Sequence, residues 1–152
     1  MALDYRLYLS TNMKTLQELE KLADQNHGLA WSEEKHFLFD TTVAITAIEP
    51  RESRRESIND AFQFVPTLVV GFRCAKFADQ DTFAQSLLDA TLLLLEASQE
   101  AVLLFNGEFI VLQWLRGQLV FNADSGLWHD VNWLKSRLSM PFERRPLPSP
   151  LL

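Results

Sequence analysis

Ala101-Val102-Leu103-Leu104-Phe105-Asn106-Gly107-Glu108-Phe109-Ile110-Val111-Leu112-Gln113-Trp114-Leu115 sets an Asn-Gly pair between two apolar runs. A type I′ turn needs positive φ at both central residues, and Asn-Gly accepts it most readily. The stretch therefore predicts a β-hairpin, Ala101 to Phe105 against Phe109 to Leu115. Arg116-Gly117 predicts a second tight turn into Leu119-Val120-Phe121, which completes a three-stranded meander. Strict alternation along the middle strand puts Trp114 on one face with Leu112 and Ile110, in the core.

Before the hairpin, Phe83, Leu87, Leu88, Thr91, Leu94 and Leu95 recur at helical spacing, and Leu92 and Leu93 widen that face. Such a stripe predicts a deeply buried helix. Asp79 or Asp81 suits its N-cap. Val65 to Lys76 reads as a strand, with Leu68, Val70, Phe72 and Cys74 on one face and Thr67 and Arg73 on the other. His36 to Ile48 is a second strand candidate, rich in β-branched residues and ended by Pro50. The densely charged segment Arg51 to Asp60 between them fits a solvated loop or a short exposed helix.

The opening also alternates. Leu3, Tyr5, Leu7 and Leu9 point one way, and Asp4, Arg6, Tyr8 and Ser10 the other, the period of a half-buried strand. Thr15-Leu16-Gln17-Glu18 has the form of a capping box. Leu16, Leu19, Leu22 and Ala23 continue it as an amphipathic helix, which Asn26-His27-Gly28 can stop. The element order is β-α-β-β-α-β, the ferredoxin-like pattern, with the meander as a C-terminal extension. The expected fold class is α+β, an antiparallel sheet with two helices on one face. Residues 1–140 are expected to form one domain, and residues 141–152 a Pro-rich strap or tail.

With 152 residues a chain buries about 70% of the surface its unfolded form exposes, enough for a core without staples. The single cysteine, Cys74, rules out an intramolecular disulfide. The first residues lack the basic and apolar regions of a signal peptide. The densest apolar run, Leu87 to Leu95, contains Asp89 and is too short to span a bilayer. A cytoplasmic protein without membrane insertion is expected. The net charge of −6 disfavours nucleic acid as a ligand and mildly favours a basic partner.

Reactive constellations are missing from the sequence. There is no nucleophile elbow, phosphate loop or dinucleotide fingerprint. The spacings of His27, His36 and His129 match no metal motif. Asn122-Ala123-Asp124-Ser125-Gly126 lacks the frame of a calcium loop and fits an Asx turn. Cys74 falls on an apolar strand face, where a cysteine is structural. The carboxylates Glu33, Glu34, Glu49, Glu52, Asp79 and Asp81 fall in loops and helix starts, where they stay solvated. No cofactor, no metal and no catalytic residue are expected. Arg145-Pro146-Leu147-Pro148-Ser149-Pro150 is out of register with a polyproline ligand, so a strand-like strap or a frayed terminus is expected. Of Trp31, Trp114, Trp128 and Trp133, Trp31 precedes Ser32-Glu33-Glu34 and is the best candidate for an exposed aromatic anchor.

Four segments carry a resemblance over nearly the whole chain. They are the opening Met-Ala-Leu-Asp-Tyr-Arg-Leu-Tyr-Leu, the central Val70-Gly71-Phe72-Arg73, the stretch Ala101 to Glu108, and the closing Pro141-Phe142-Glu143-Arg144-Arg145-Pro146-Leu147-Pro148. The chain resembles a family of small bacterial immunity proteins, those of the swarming-inhibition (Sit) kin-discrimination toxin systems. The resemblance implies a cytoplasmic antidote that binds and neutralises a cognate protein toxin, and it carries no catalytic residue. If the toxin is basic, the acidic charge of this chain speeds association. The candidate contacts are Trp31, Glu33 and Glu34 in one turn and Glu49, Glu52 and Glu56 in the charged segment. Arg51, Arg54 and Arg55 make that segment mixed rather than acidic. The alternative is a ferredoxin-like module for a small ligand or regulation, dimeric through a free sheet edge. The oligomeric state stays open.

Overall fold

The computed structural model describes residues 4–25, 28–34 and 36–149. They form β1 (Asp4–Thr11), α1 (Thr15–Gln25), β2 (Ala30–Trp31), β3 (Leu38–Phe39), β4 (Val43–Ile48), α2 (Glu52–Phe62), β5 (Leu68–Cys74), α3 (Gln80–Leu95), β6 (Ser98–Phe105), β7 (Phe109–Leu115), β8 (Gln118–Asn122), α4 (Val131–Arg137) and β9 (Phe142–Arg145). The strands join one sheet in the order β2-β3-β4-β5-β1-β6-β7-β8-β9. Every pairing is antiparallel except β8 with β9, which is parallel. The class is α+β, with more strands than the sequence predicts.

The meander forms where the turns demand it. Asn106 and Gly107 have φ of 51° and 81°, and Arg116 and Gly117 have φ of 53° and 75°. One expectation fails within it. Leu103 pairs with Leu112, but Leu104 pairs with Ile110, so Val111 is an extra residue in β7. A bulge of this kind shifts the alternation by one. Leu112 and Trp114 face the α1–α3 side, and Ile110 faces the opposite core.

The long strand predicted from His36 to Ile48 is also divided. The Asp40 carboxylate accepts from the Thr42 and Val43 N–H groups at 2.7 and 2.8 Å. This Asx turn reverses the chain between β3 and β4. At α1, the Gln17 carboxamide accepts from the Lys14 N–H at 2.9 Å, which satisfies one of the donors a helix start leaves free. The predicted stop at Asn26 and His27, and the position of Leu3, lie outside the described residues.

One face of the sheet holds the expected core. Leu7, Leu9, Val70, Phe72 and Leu103 meet Leu19 and Leu22 of α1 and Phe83, Leu87, Leu88, Leu94 and Leu95 of α3. Burying each such side chain contributes about 1.5–3 kcal/mol. Asp79 caps α3 by accepting from the Thr82 N–H at 3.0 Å. The same bond holds its carboxyl below the ordinary carboxylate range. Trp128, at φ 53°, donates its indole N–H to the Ala84 carbonyl at 2.8 Å and so holds the loop before α4 against α3.

The other face carries a second core, which corrects the picture of two helices on one side. Tyr8, Val69, Val102, Leu104, Ile110 and Val120 are covered by Ile58 and Phe62 of α2, by Phe64, and by Leu147. Tyr8, grouped by alternation with the outward residues, is only 1% exposed. The tail is bound into this layer. The buried Asn122 side chain donates to the carbonyls of Ile110 (2.6 Å) and Leu147 (3.2 Å). It also accepts from the N–H groups of Leu147 (3.1 Å) and Asp124 (3.0 Å).

Candidate binding face

The cover supplied by α2 stops partway across the sheet. Register fixes which side chains stand on the uncovered part. Phe39, Ala44, Arg73 and Asp4 align across four strands, and Thr46, Gly71 and Arg6 form the next row. Ile48, Val69 and Tyr8 make the third row, where the covered half begins. The residues between these rows, such as Leu38, Ile45, Phe72 and Tyr5, point into the α1–α3 core.

Two adjoining hollows lie on this ground. One, of about 350 Å³, is lined by Asp4, Arg6, Phe37, Thr46, Gly71 and Arg73 among others. The second, of about 690 Å³, runs between the sheet and α2 past Pro50, Arg51, Arg54 and Ser57. Arg6, Ile48 and Val69 belong to both. Gly71 keeps the floor low, since a Cβ there would stand 2.9 Å from Thr46 Oγ1.

The lining is cationic although the chain is acidic. Four arginines, Arg6, Arg51, Arg54 and Arg73, face one carboxylate, Asp4. Asp4 lies 3.2 Å from Arg6 Nε. Arg54 sits 5.9 Å from the centre of the Tyr8 ring and donates to the Gly107 carbonyl at 3.4 Å. Among the described residues no carboxylate lies within 4.0 Å of the guanidinium of Arg51 or Arg73. Apolar groups border them. Phe39 is 42% and Ile48 57% exposed, and the Phe37 ring lies 5.8 Å from that of Phe39. Exposed aromatic and aliphatic groups beside arginines are the composition of a contact surface.

The predicted contacts fall around this face rather than inside it. Trp31 lies in β2, half-buried against the α1–α3 core, and is not an exposed anchor. Glu33 and Glu34 occupy the exposed turn between β2 and β3, with Glu34 3.5 Å from His36. Glu49 leaves the end of β4, and Glu52 and Glu56 stand exposed on α2. No hydrogen bond or ion pair joins these two acidic groups among the described residues. The antiparallel register of β3 on β4 carries the turn toward the end from which Glu49 departs.

Residues considered for chemistry are dispersed. Burial pushes the Cys74 thiol up and, together with the neighbouring Cys74, raises the Tyr5 phenol. A thiol so raised is protonated at neutral pH and a poor nucleophile. The backbone carbonyl of His129 accepts from Arg144 at 2.9 Å. Asp124 follows an Asx turn in which Asn122 accepts its N–H. His27 lies outside the described residues. Among the described residues no group of three histidines, cysteines or carboxylates could hold a metal, and no helix is long and apolar enough to cross a membrane.

The arginine face escapes a linear reading because its members come from positions 6, 51, 54 and 73. Its trace in the sequence is a pair of arginines, Arg6 and Arg73, each within a strand whose other face is buried. A family model described as SitI3-like matches residues 3–132. No curated protein and no solved structure matches the chain.

Proposed function

The chain belongs to the SitI3-like family, and on that premise we propose that it is an immunity protein. It acts in the cytoplasm, without catalysis, by binding a cognate toxin and blocking it. The single observation that carries this reading is the family match across most of the chain. The open sheet face supports it, being shaped and composed for contact rather than for reaction. An interface of standard size covers about 800 Å² on each partner, more than the two hollows themselves. The rim residues Glu33, Glu34, Glu49, Glu52 and Glu56 supply outer contacts to basic groups of the toxin, and Trp31 anchors the strand that leads into the turn carrying the first two. Residues 1–140 act as one unit, with residues 141–152 as a Pro-rich strap or tail.

The core follows a ferredoxin-like plan in this reading. The order β4-β5-β1-β6, all antiparallel, with α1 and α3 against one face, supports it. That plan also favours the second reading, a ligand-binding or regulatory module, because the fold hosts many functions. Co-expression with a candidate toxin, taken from the genes neighbouring this one, separates the two. Immunity predicts restored growth of a sensitive host. No rescue, with both proteins confirmed by blot, rejects that pairing.

A further inference from the structure

The geometry points to the open half-face as the docking site for an acidic, apolar segment of a partner protein: carboxylates meet Arg51 and Arg73 while aliphatic side chains lie on Phe39 and Ile48. This deepens the immunity reading and rests on it, the partner being the toxin. A chain of net charge −6 would ordinarily meet a basic partner, so local charge has to be weighed against the total. Four arginines and one aspartate line the hollows. Opposite charge at short range steers encounter and fixes register. Arg51, Arg54 and Arg73 have no acidic partner among the described residues, and Arg54 is already held by the Gly107 carbonyl and the Tyr8 ring, so Arg51 and Arg73 are the ones left to receive a ligand. Guanidinium groups bind carboxylates in a paired, planar geometry that a lysine cannot copy.

The exposed apolar groups choose between kinds of anion. A free phosphate has no use for Phe39 and Ile48, which are 42% and 57% exposed. A nucleic acid would stack on Phe39, yet its unbroken run of phosphates would meet the repulsion of an acidic chain more strongly than a few carboxylates would, and it offers no aliphatic group to Ile48. A peptide carrying both carboxylates and aliphatic groups matches both the arginines and the exposed apolar groups of this face. The missing side chain at Gly71, whose Cβ would approach Thr46 to 2.9 Å, leaves room for a ligand backbone to lie close to the sheet.

Two measurements test this. The first is calorimetric titration with a purified candidate toxin, chosen as one whose toxicity co-expression of this chain relieves. Arg51→Glu and Arg73→Glu are each expected to weaken binding about tenfold, and Glu33→Lys much less, since rim charges contribute less than central ones. Neutralisation by wild type with no loss in the arginine variants overturns this inference and leaves the immunity reading intact. Absence of toxin binding by wild type itself overturns the immunity reading instead. The second measurement needs no toxin. A synthetic peptide alternating glutamate and leucine is titrated into ¹⁵N-labelled protein. Amide shifts are expected at Thr46, Gly71 and Arg73, lost in Arg73→Glu and not produced by a lysine–leucine peptide. Absence of those shifts overturns the proposal. So does an equal, arginine-dependent response to oligo-deoxythymidine, which would make the face a nucleic-acid site.

Discussion

Two halves of one sheet face share strands β1 and β5 and have opposite fates. On β1, Tyr8 is sealed under α2 while Arg6, two residues earlier, is open to solvent. On β5, Val69 is buried and Arg73 exposed. The covered half is apolar and tied down by a helix, Leu147 and Asn122. The open half has arginines, a glycine and exposed aromatic groups. A sheet face left uncovered is usually made plainly polar. Here it keeps Phe39 and Ile48 in view, which fits the proposal that one half serves stability and the other contact.

Mutations should separate these roles. Ile58→Ala empties the centre of the covered half and should cost about 3 kcal/mol in urea unfolding. A loss under 1 kcal/mol would mean that α2 is not a structural layer. Asn122→Ala leaves buried backbone groups of Ile110 and Leu147 without partners. It should cost about 2 kcal/mol and expose the chain after Arg145 to limited proteolysis. Asp79→Ala, on the far layer, removes the α3 cap and should lower stability at neutral pH by less than either. The carboxyl of Asp79 is lowered from its ordinary 3.8 in the folded chain. Its contribution is therefore complete above that value and fades as pH falls through the lower folded one. The gap between wild type and Asp79→Ala should close in acid, and a gap constant down to pH 2 would argue against the cap. Arg73→Glu, in the open half, should leave stability within about 0.5 kcal/mol. A large loss there would make the open half structural and erase the contrast.

Local chemistry explains what the sequence revealed. Asn106-Gly107 and Arg116-Gly117 announced their turns because few residues accept positive φ. The stripe of α3 was legible because its leucines repeat over 16 residues. By contrast, α2 buries Ile58 and Phe62 with Ala61 beside them. Its surroundings, Glu-Ser-Arg-Arg-Glu-Ser, hide so short an apolar stripe. A solvated loop or exposed helix at Arg51 to Asp60 offers Tyr8 no layer to be buried under, and it is the buried face of α2 that the sequence hides. The bulge at Val111 leaves no signal, since residues 109–112 are all apolar and alternation cannot report a shift within them. The arginine face depends on register between strands and on where a helix ends, so positions 6, 51, 54 and 73 meet only after folding.

The strand at the middle of the sheet is also the earliest in the chain. β1 must pair with β5 on one side and β6 on the other. Its neighbours therefore arrive about sixty and a hundred residues later, a separation that favours slow folding because long loops close before those contacts form. During synthesis this apolar strand waits with both edges unpaired, the condition in which nascent chains associate wrongly. A host making this protein quickly should accumulate aggregates that slower translation or a chaperone relieves.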